Sequence, residues 1–178
     1  MIPILITPPE PLVDIDEMKE VLGVYDSDRD DFIASLITAA ESEFFGPDGV
    51  HVTVAYQVFE VRCASFAAEI ELPQGPVIEV VEITYQDGAG VTQTLASSVY
   101  ELLSDDRLVP AAGQSWPSTS GREEAVKIQY AVGLADDDPR REVAKNAVRT
   151  HVKLHFDMKD PPGYRETIRN ILAPLRAY

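Results

Sequence analysis

The chain has 178 residues, 45% of them hydrophobic, with a formal net charge of −15 at pH 7, apolar enough for one domain or one domain with a sizeable insertion. No apolar run approaches the ~20 residues of a membrane span, and one cysteine, Cys63, excludes an internal disulfide. The acidic balance argues against general DNA binding, which needs a basic surface to displace counterions.

Residues 1–13 contain Pro3, Pro8, Pro9 and Pro11, which donate no backbone N–H and bias their predecessors away from helix. An extended arm is expected there. Its start, Met1–Ile6, has no basic leader, so a soluble product of the cytoplasm is expected. A helix pair follows over 14–46. In the first helix, Asp14 is the N-cap with Glu17 three residues on, a capping-box spacing; Met18, Val21 and Leu22 point inward and Gly23 is the stop. The second starts near Ser27 or Asp28 and runs to about Phe45. Its apolar face is Phe32, Ile33, Leu36, Ile37, Ala40 and Phe44, ended by Gly46-Pro47-Asp48-Gly49.

The period changes to two over 51–133. Val52–Val61 alternates and is rich in β-branched and aromatic residues. Ala68–Leu72 is a short strand stopped by Pro73, Gly75 and Pro76. Val77–Tyr85 and Val91–Leu95 flank a glycine-rich hairpin loop. Val99–Leu103 pairs with Arg107–Val109 around Ser104–Asp106, a polar loop holds Trp116, and Glu124–Val132 is the last strand. This predicts an antiparallel region of about six strands. Helical spacing returns over 138–157, with Pro139 in the first turn behind Asp136-Asp137-Asp138. One face there is Ala144, Ala147, Val148, His151, Val152 and His155. Residues 158–178 hold a final short helix and tail. The expected fold class is α+β: one domain, a small helix bundle of two N-terminal and two C-terminal helices with an antiparallel β insertion.

Candidate chemistry is sparse. Asp26–Asp31 suggests a calcium loop, but the sixth position is Asp31 where an EF-hand has glycine, and the twelfth is Ile37 where it has glutamate. His151 and His155 share a helix face at zinc spacing, yet Val152 follows His151 where a zinc protease has its general-base glutamate, and a third ligand would have to come from somewhere such as His51. A metal-dependent enzyme using His151 and His155 is therefore the alternative reading, not the favoured one. Cys63 has no basic neighbour, the serines near Trp116 lack a nucleophile elbow, and Gly88-Ala89-Gly90 leads into a strand rather than a helix. No catalytic, metal or cofactor residue is assigned.

Charge is divided along the chain. Residues 1–138 carry 26 acids and 6 bases, and residues 139–178 carry 4 acids and 9 bases. Arg141, Lys145, Arg149 and Lys153, four apart, form a basic stripe that reads either as a solvated face or as a surface for an acidic neighbour, including another copy. A ring needs two different patches on one chain, and opposed charge supplies them.

Five phrases fall in order: Leu72-Pro73-Gln74-Gly75-Pro76-Val77, Thr84-Tyr85-Gln86-Asp87 with Gly88 and Gly90, Trp116-Pro117, Val126–Gly133, and Leu172-Ala173-Pro174-Leu175-Arg176. Their order resembles the head–tail connector (adaptor) proteins of long-tailed bacteriophages and phage-like gene transfer agents. Leu175 departs from that pattern, which commonly has an aromatic before the arginine. The resemblance implies a non-enzymatic structural subunit of a particle neck. It implies a homo-oligomeric ring of about twelve copies under the portal protein, receiving stopper and tail proteins. Duplex DNA would pass through without sequence-specific binding, and no membrane is involved. A head- or tail-completion protein elsewhere in the same particle is the neighbouring alternative. The expected subunit or portal interface comprises Arg141, Lys145, Arg149, Lys153, Arg165, Arg169, Leu172, Pro174 and Arg176.

Overall fold

The computed structural model describes residues 1–45, 52–103, 106–158 and 162–176, apart from the side chain of Arg176. The expected turn at 46–49, His51, and parts of the loops at 104–105 and 159–161 lie outside these residues. In chain order the elements are β1 (Ile4–Thr7), α1 (Ile15–Leu22), α2 (Asp30–Phe45), β2 (Gln57–Cys63), β3 (Ile70–Glu71), β4 (Val77–Gln86), β5 (Thr92–Thr94), β6 (Tyr100–Leu103), β7 (Arg107–Pro110), β8 (Val126–Val132), α3 (Pro139–Phe156) and α4 (Tyr164–Ile171). Short 3-10 turns occupy Ser97–Val99 and Ala173–Arg176. The fold is α+β, with eight strands among the described residues where about six were expected.

The chain forms two compact units, one of residues 1–9 and 56–133, the other of 10–55 and 134–178. The first is all β. A five-stranded antiparallel sheet has the order β1-β2-β8-β4-β5, and a three-stranded one the order β3-β7-β6. One core joins them: Val61, Ile83, Val126, Ile128, Tyr130 and Val132 from the larger sheet meet Ile70 and Leu108 from the smaller, together with Leu72. Alternation places Phe59, Val61 and Cys63 toward this core and Val58, Glu60 and Arg62 on the opposite face of β2. Glu60 is nonetheless buried, held by Arg62 at 2.6 Å and Gln129 at 3.0 Å. Burial pushes its carboxyl up, but the hydrogen bonds from Gln129 and Arg62 and the charges of Arg62 and Lys127 outweigh it, leaving it below the usual carboxylate range.

Within the extended arm, β1 pairs antiparallel with β2, Ile4 opposite Glu60 and Thr7 opposite Val58. One expectation changes in this unit. β2 begins at Gln57 rather than Val52. Val54 is fully buried in the helical core, and its carbonyl accepts from the Leu134 N–H at 3.1 Å, so Val52–Ala55 belong to the other unit.

The helical unit is built on α2 and α3. Ile33, Ile37, Ala40 and Phe44 of α2 meet Ala144, Ala147, Val148 and Val152 of α3, with Met18 of α1 and Ile168, Leu172 and Leu175 of the C-terminal segment. The stretch before α1 is pinned here as well: Leu12 and Val13 are buried, and the Leu12 N–H donates to Glu41 at 2.6 Å. Burial raises the Glu41 carboxyl against the backbone N–H groups of Leu12 and Val13, which lower it; burial wins. Asp14 caps α1 through the Asp16 N–H at 2.7 Å, and Gly23 ends it at φ 69°, a left-handed position that suits glycine. The expected capping box does not close, because Glu17 reaches across to α3. α2 starts at Asp30, later than expected, after an Asp26 side-chain turn to the Asp28 N–H. Phe32 and Val21, expected inward, are exposed.

Candidate functional site

The five ordered phrases prove to be structural joints. In the first, the Leu72 N–H donates to the Asp106 carbonyl at 2.7 Å, Gln74 adopts φ 68°, and the Gly75–Pro76 bond is cis. The fourth phrase closes onto it: the Tyr130 hydroxyl donates to the Pro73 carbonyl at 2.9 Å, and the Gly133 N–H to that of Pro76 at 3.0 Å. Tyr130 is fully buried, and burial pushes its phenol well above its ordinary value, so it stays a donor. In the second phrase the Asp87 carboxylate accepts from the Ala89 and Val91 N–H groups at 2.9 and 3.0 Å and from Gln93 at 3.1 Å, and Gly90 turns the hairpin at φ 81°. Those donors hold Asp87 below the usual range, the Val91 N–H most of all. The third phrase meets the second through Phe66, which stacks on Trp116 (centroids 4.7 Å, 8°) and meets Tyr85 edge-on at 5.9 Å. The fifth supplies Leu172 and Leu175 to the helical core.

The basic stripe is real in spacing but largely neutralised within the chain. Arg149 Nε donates to Glu17 at 2.7 Å, its Nη2 also reaches Glu17, and its Nη1 bonds Glu142 at 2.6 Å and Asn146 at 2.9 Å. Lys145 reaches the same Glu17 at 3.5 Å. Arg141 lies 3.5 Å from Asp136 and donates to the Leu134 carbonyl at 3.3 Å. Burial works against the Arg149 charge, but Glu142 and Glu17 more than offset it. Three of the four stripe residues thus fasten α3 to α1 and to its own N-terminus, and only Lys153 lacks an ion pair among the described residues. Just ahead, Asp138 caps α3 through the Arg140 N–H at 2.8 Å and holds the Arg140 guanidinium with both oxygens.

Of the other expected interface residues, Arg165 and Arg169 are exposed on α4 and Pro174 is exposed beyond it. Leu172 is a correction. It is 3% exposed, because α4 has a single apolar stripe and Ile168, Leu172 and Leu175 turn it into the bundle.

His151 and His155 do not converge on a metal position. Their rings stack with centroids 4.0 Å apart and 13° between planes. Tyr164 hydrogen-bonds His151 Nδ1, and His155 Nδ1 donates to the His151 carbonyl at 3.0 Å. His151 also meets Phe44 edge-on at 5.2 Å. The pair therefore clasps α4 and α2 to α3. Burial first, then the neighbouring His155, holds the His151 ring below its ordinary value, against a small opposing pull from Glu43. His155 itself is exposed, not part of the apolar face. No group of three or more metal-ligating side chains occurs among the described residues.

The whole-chain arrangement then meets known structures. The fold is shared with gene transfer agent particle chains. A chain from the neck of an empty gene transfer agent particle computed with C6 symmetry aligns with a TM-score of 0.63 and 14% identity over 100% of this chain and 96% of that one. A chain from the virion of a native particle gives 0.61 and 16% over the same shares. One from a native neck computed with C12 symmetry gives 0.60 and 18%, over 98% and 96%. Neither a family model nor a curated protein matches the sequence. The likeness spans both units and nearly the full length of each neighbour.

The contacts that sequence reading missed are the long-range ones. Glu17, Glu41 and Tyr164 each complete a cluster whose other half lies elsewhere in the chain, and only the charge of Glu17 and Glu41 on helices otherwise apolar inward could have flagged them.

Proposed function

We propose that this chain is a non-enzymatic head–tail connector subunit of a tailed-phage or gene transfer particle, one of a ring of copies beneath the portal that extends the DNA channel and receives the next neck or tail component. The observation that carries this reading is the end-to-end fold likeness to gene transfer agent neck chains, at TM-scores of 0.60 to 0.63. The physical content of the phrases agrees with it. Tyr130, Asp87, Trp116 and the Leu72–Val77 corner set shape and hold strands in register, and none is poised for chemistry. A net charge of −15 also suits a wall along which DNA slides, since like charge opposes sticking to the phosphate backbone. The exposed Arg165, Arg169 and Lys153 remain candidate contacts to the portal or to a neighbouring copy.

The test is electron microscopy of portal rings from the same genome incubated with the purified chain. A second ring stacked coaxially on the portal is the expected result. Portal rings that stay bare at saturating chain concentration would count decisively against the connector reading.

A further inference from the structure

The five-stranded sheet has two open edges, β1 at one side and β5 at the other. All four residues of β1 are exposed and none belongs to a core cluster, and the strand pairs with β2 on one side only. Natural edges usually carry a charge or an internal proline that blocks further pairing. Ile4-Leu5-Ile6-Thr7 has neither. β5, Thr92-Gln93-Thr94, is likewise exposed and uncharged. The large exposed aliphatics of this sheet lie toward its two sides: Ile4, Leu5 and Ile6 on β1 at one, and at the other Val91 beside β5, with Ile78 and Val81 on the stretch of β4 that β5 does not cover. The inner strands β2 and β8 expose none. Ile78 and Val81 are the residues skipped where the β4 register shifts against β8, from Val77 to Glu79 and from Val80 to Glu82.

We propose that copies of this chain join head to tail through this sheet, β1 of one copy pairing with β5 of the next. The choice of a second copy as occupant rests on the connector reading. Two unlike edges on one chain make a heterologous contact, the kind that generates rings; pairing β1 with another β1 would close a dimer and leave β5 open. Between copies that each carry −15, two uncharged strands are also where approach meets least repulsion. Strand directions fix the geometry. Every neighbouring pair from β1 to β5 is antiparallel, and four reversals restore direction, so β1 and β5 run the same way. A copy that continues the sheet therefore lays its β1 parallel to β5, with slanted backbone bonds. Ile4, Leu5 and Ile6 then lie against the side that carries Val91 in place of solvent.

The test uses two full-length chains in a Cys63→Ala background, one with Leu5→Cys and one with Thr94→Cys, mixed and gently oxidised both at high concentration and on portal rings. The expected product is the mixed Leu5→Cys/Thr94→Cys disulfide in excess over either self-pair. Predominant pairing of Leu5→Cys with itself, its capture by the portal chain alone, or no cross-link overturns the proposal. Ile4→Lys/Ile6→Lys gives a second readout: its melting curve should match the wild type while the oligomer is lost, and an unchanged oligomer overturns the proposal as well. The two readings fail separately. Stacking on portals without the mixed cross-link removes the edge pairing only, and the mixed cross-link with bare portals removes the connector role only.

Discussion

Replacing Tyr130 with phenylalanine isolates the joint between the first and fourth phrases. The ring is fully buried in the β core, and its hydroxyl makes one hydrogen bond, to the Pro73 carbonyl at 2.9 Å. Phenylalanine keeps the ring contacts and removes a single oxygen, so the cost is the lost bond plus a half-buried carbonyl left without that donor. Such deletions cost about 1–3 kcal/mol, and for a chain of this length each kcal/mol moves the melting temperature by about 2–4 °C. Tyr130→Phe should therefore melt several degrees lower. Trp116 is the only tryptophan and packs against the same core, so its fluorescence reports this unit directly. Tyr25→Phe, at a side chain 92% exposed, is the control and should leave the curve unchanged. If Tyr130→Phe melts within about 1 °C of the wild type by Trp116 fluorescence, a shift smaller than the loss of a buried hydrogen bond implies, the corner is not held by this bond and the account of the phrases as interlocking joints fails.

Two further outcomes follow from the helical unit. Glu17→Gln and Arg149→Gln should each destabilise by about 1–2 kcal/mol, between the values for exposed and buried pairs, because their side chains are 30% and 20% exposed; a double-mutant cycle by urea unfolding should show positive coupling, and independent effects would detach α1 from this network. Acid should loosen the clasp at His151. Its ring takes a proton less readily folded than unfolded, so the contribution is fully present above the ordinary histidine value of 6.5 and is lost as pH falls below it. The urea midpoint should drop between pH about 7.5 and 5.5 by more in the wild type than in His151→Gln, and equal drops would show that His151 does not carry the effect.

Local chemistry was legible and distant pairing was not. Asp14, Gly23, Asp138 and Pro139 mark helix ends because a cap or a left-handed residue acts within one turn, and the three ends they mark fall where expected. Asp87 and Gly90 mark a hairpin for the same reason, since every donor to Asp87 lies within six residues of it. The partner of β1 could not be read, because three aliphatic residues and a threonine between prolines specify an extended chain but not which strand, about fifty positions away, it will join. The stripe was visible as a spacing of four, yet Glu17 lies 132 positions from Arg149, so its neutralisation depends on how α1 and α3 meet. Leu172 misled for a related reason. A leucine in a proline-rich tail looks available, and only the seating of Ile168 and Leu175 beside it shows that it turns inward.

The interleaving of the two units sets an order on synthesis. The β unit takes residues 1–9 and 56–133, so all of its strands have been made once Gly133 is joined. The helical unit is still missing α3 and α4 at that moment, although α1 and α2 were made long before. The face formed by Ile33, Ile37, Ala40 and Phe44 then waits through the production of an entire sheet for the segment that covers it. A nascent chain paused once β8 has left the ribosome, with α3 still inside it, holds a β body attached to an uncovered apolar helix face, and this is the interval when it most needs a chaperone.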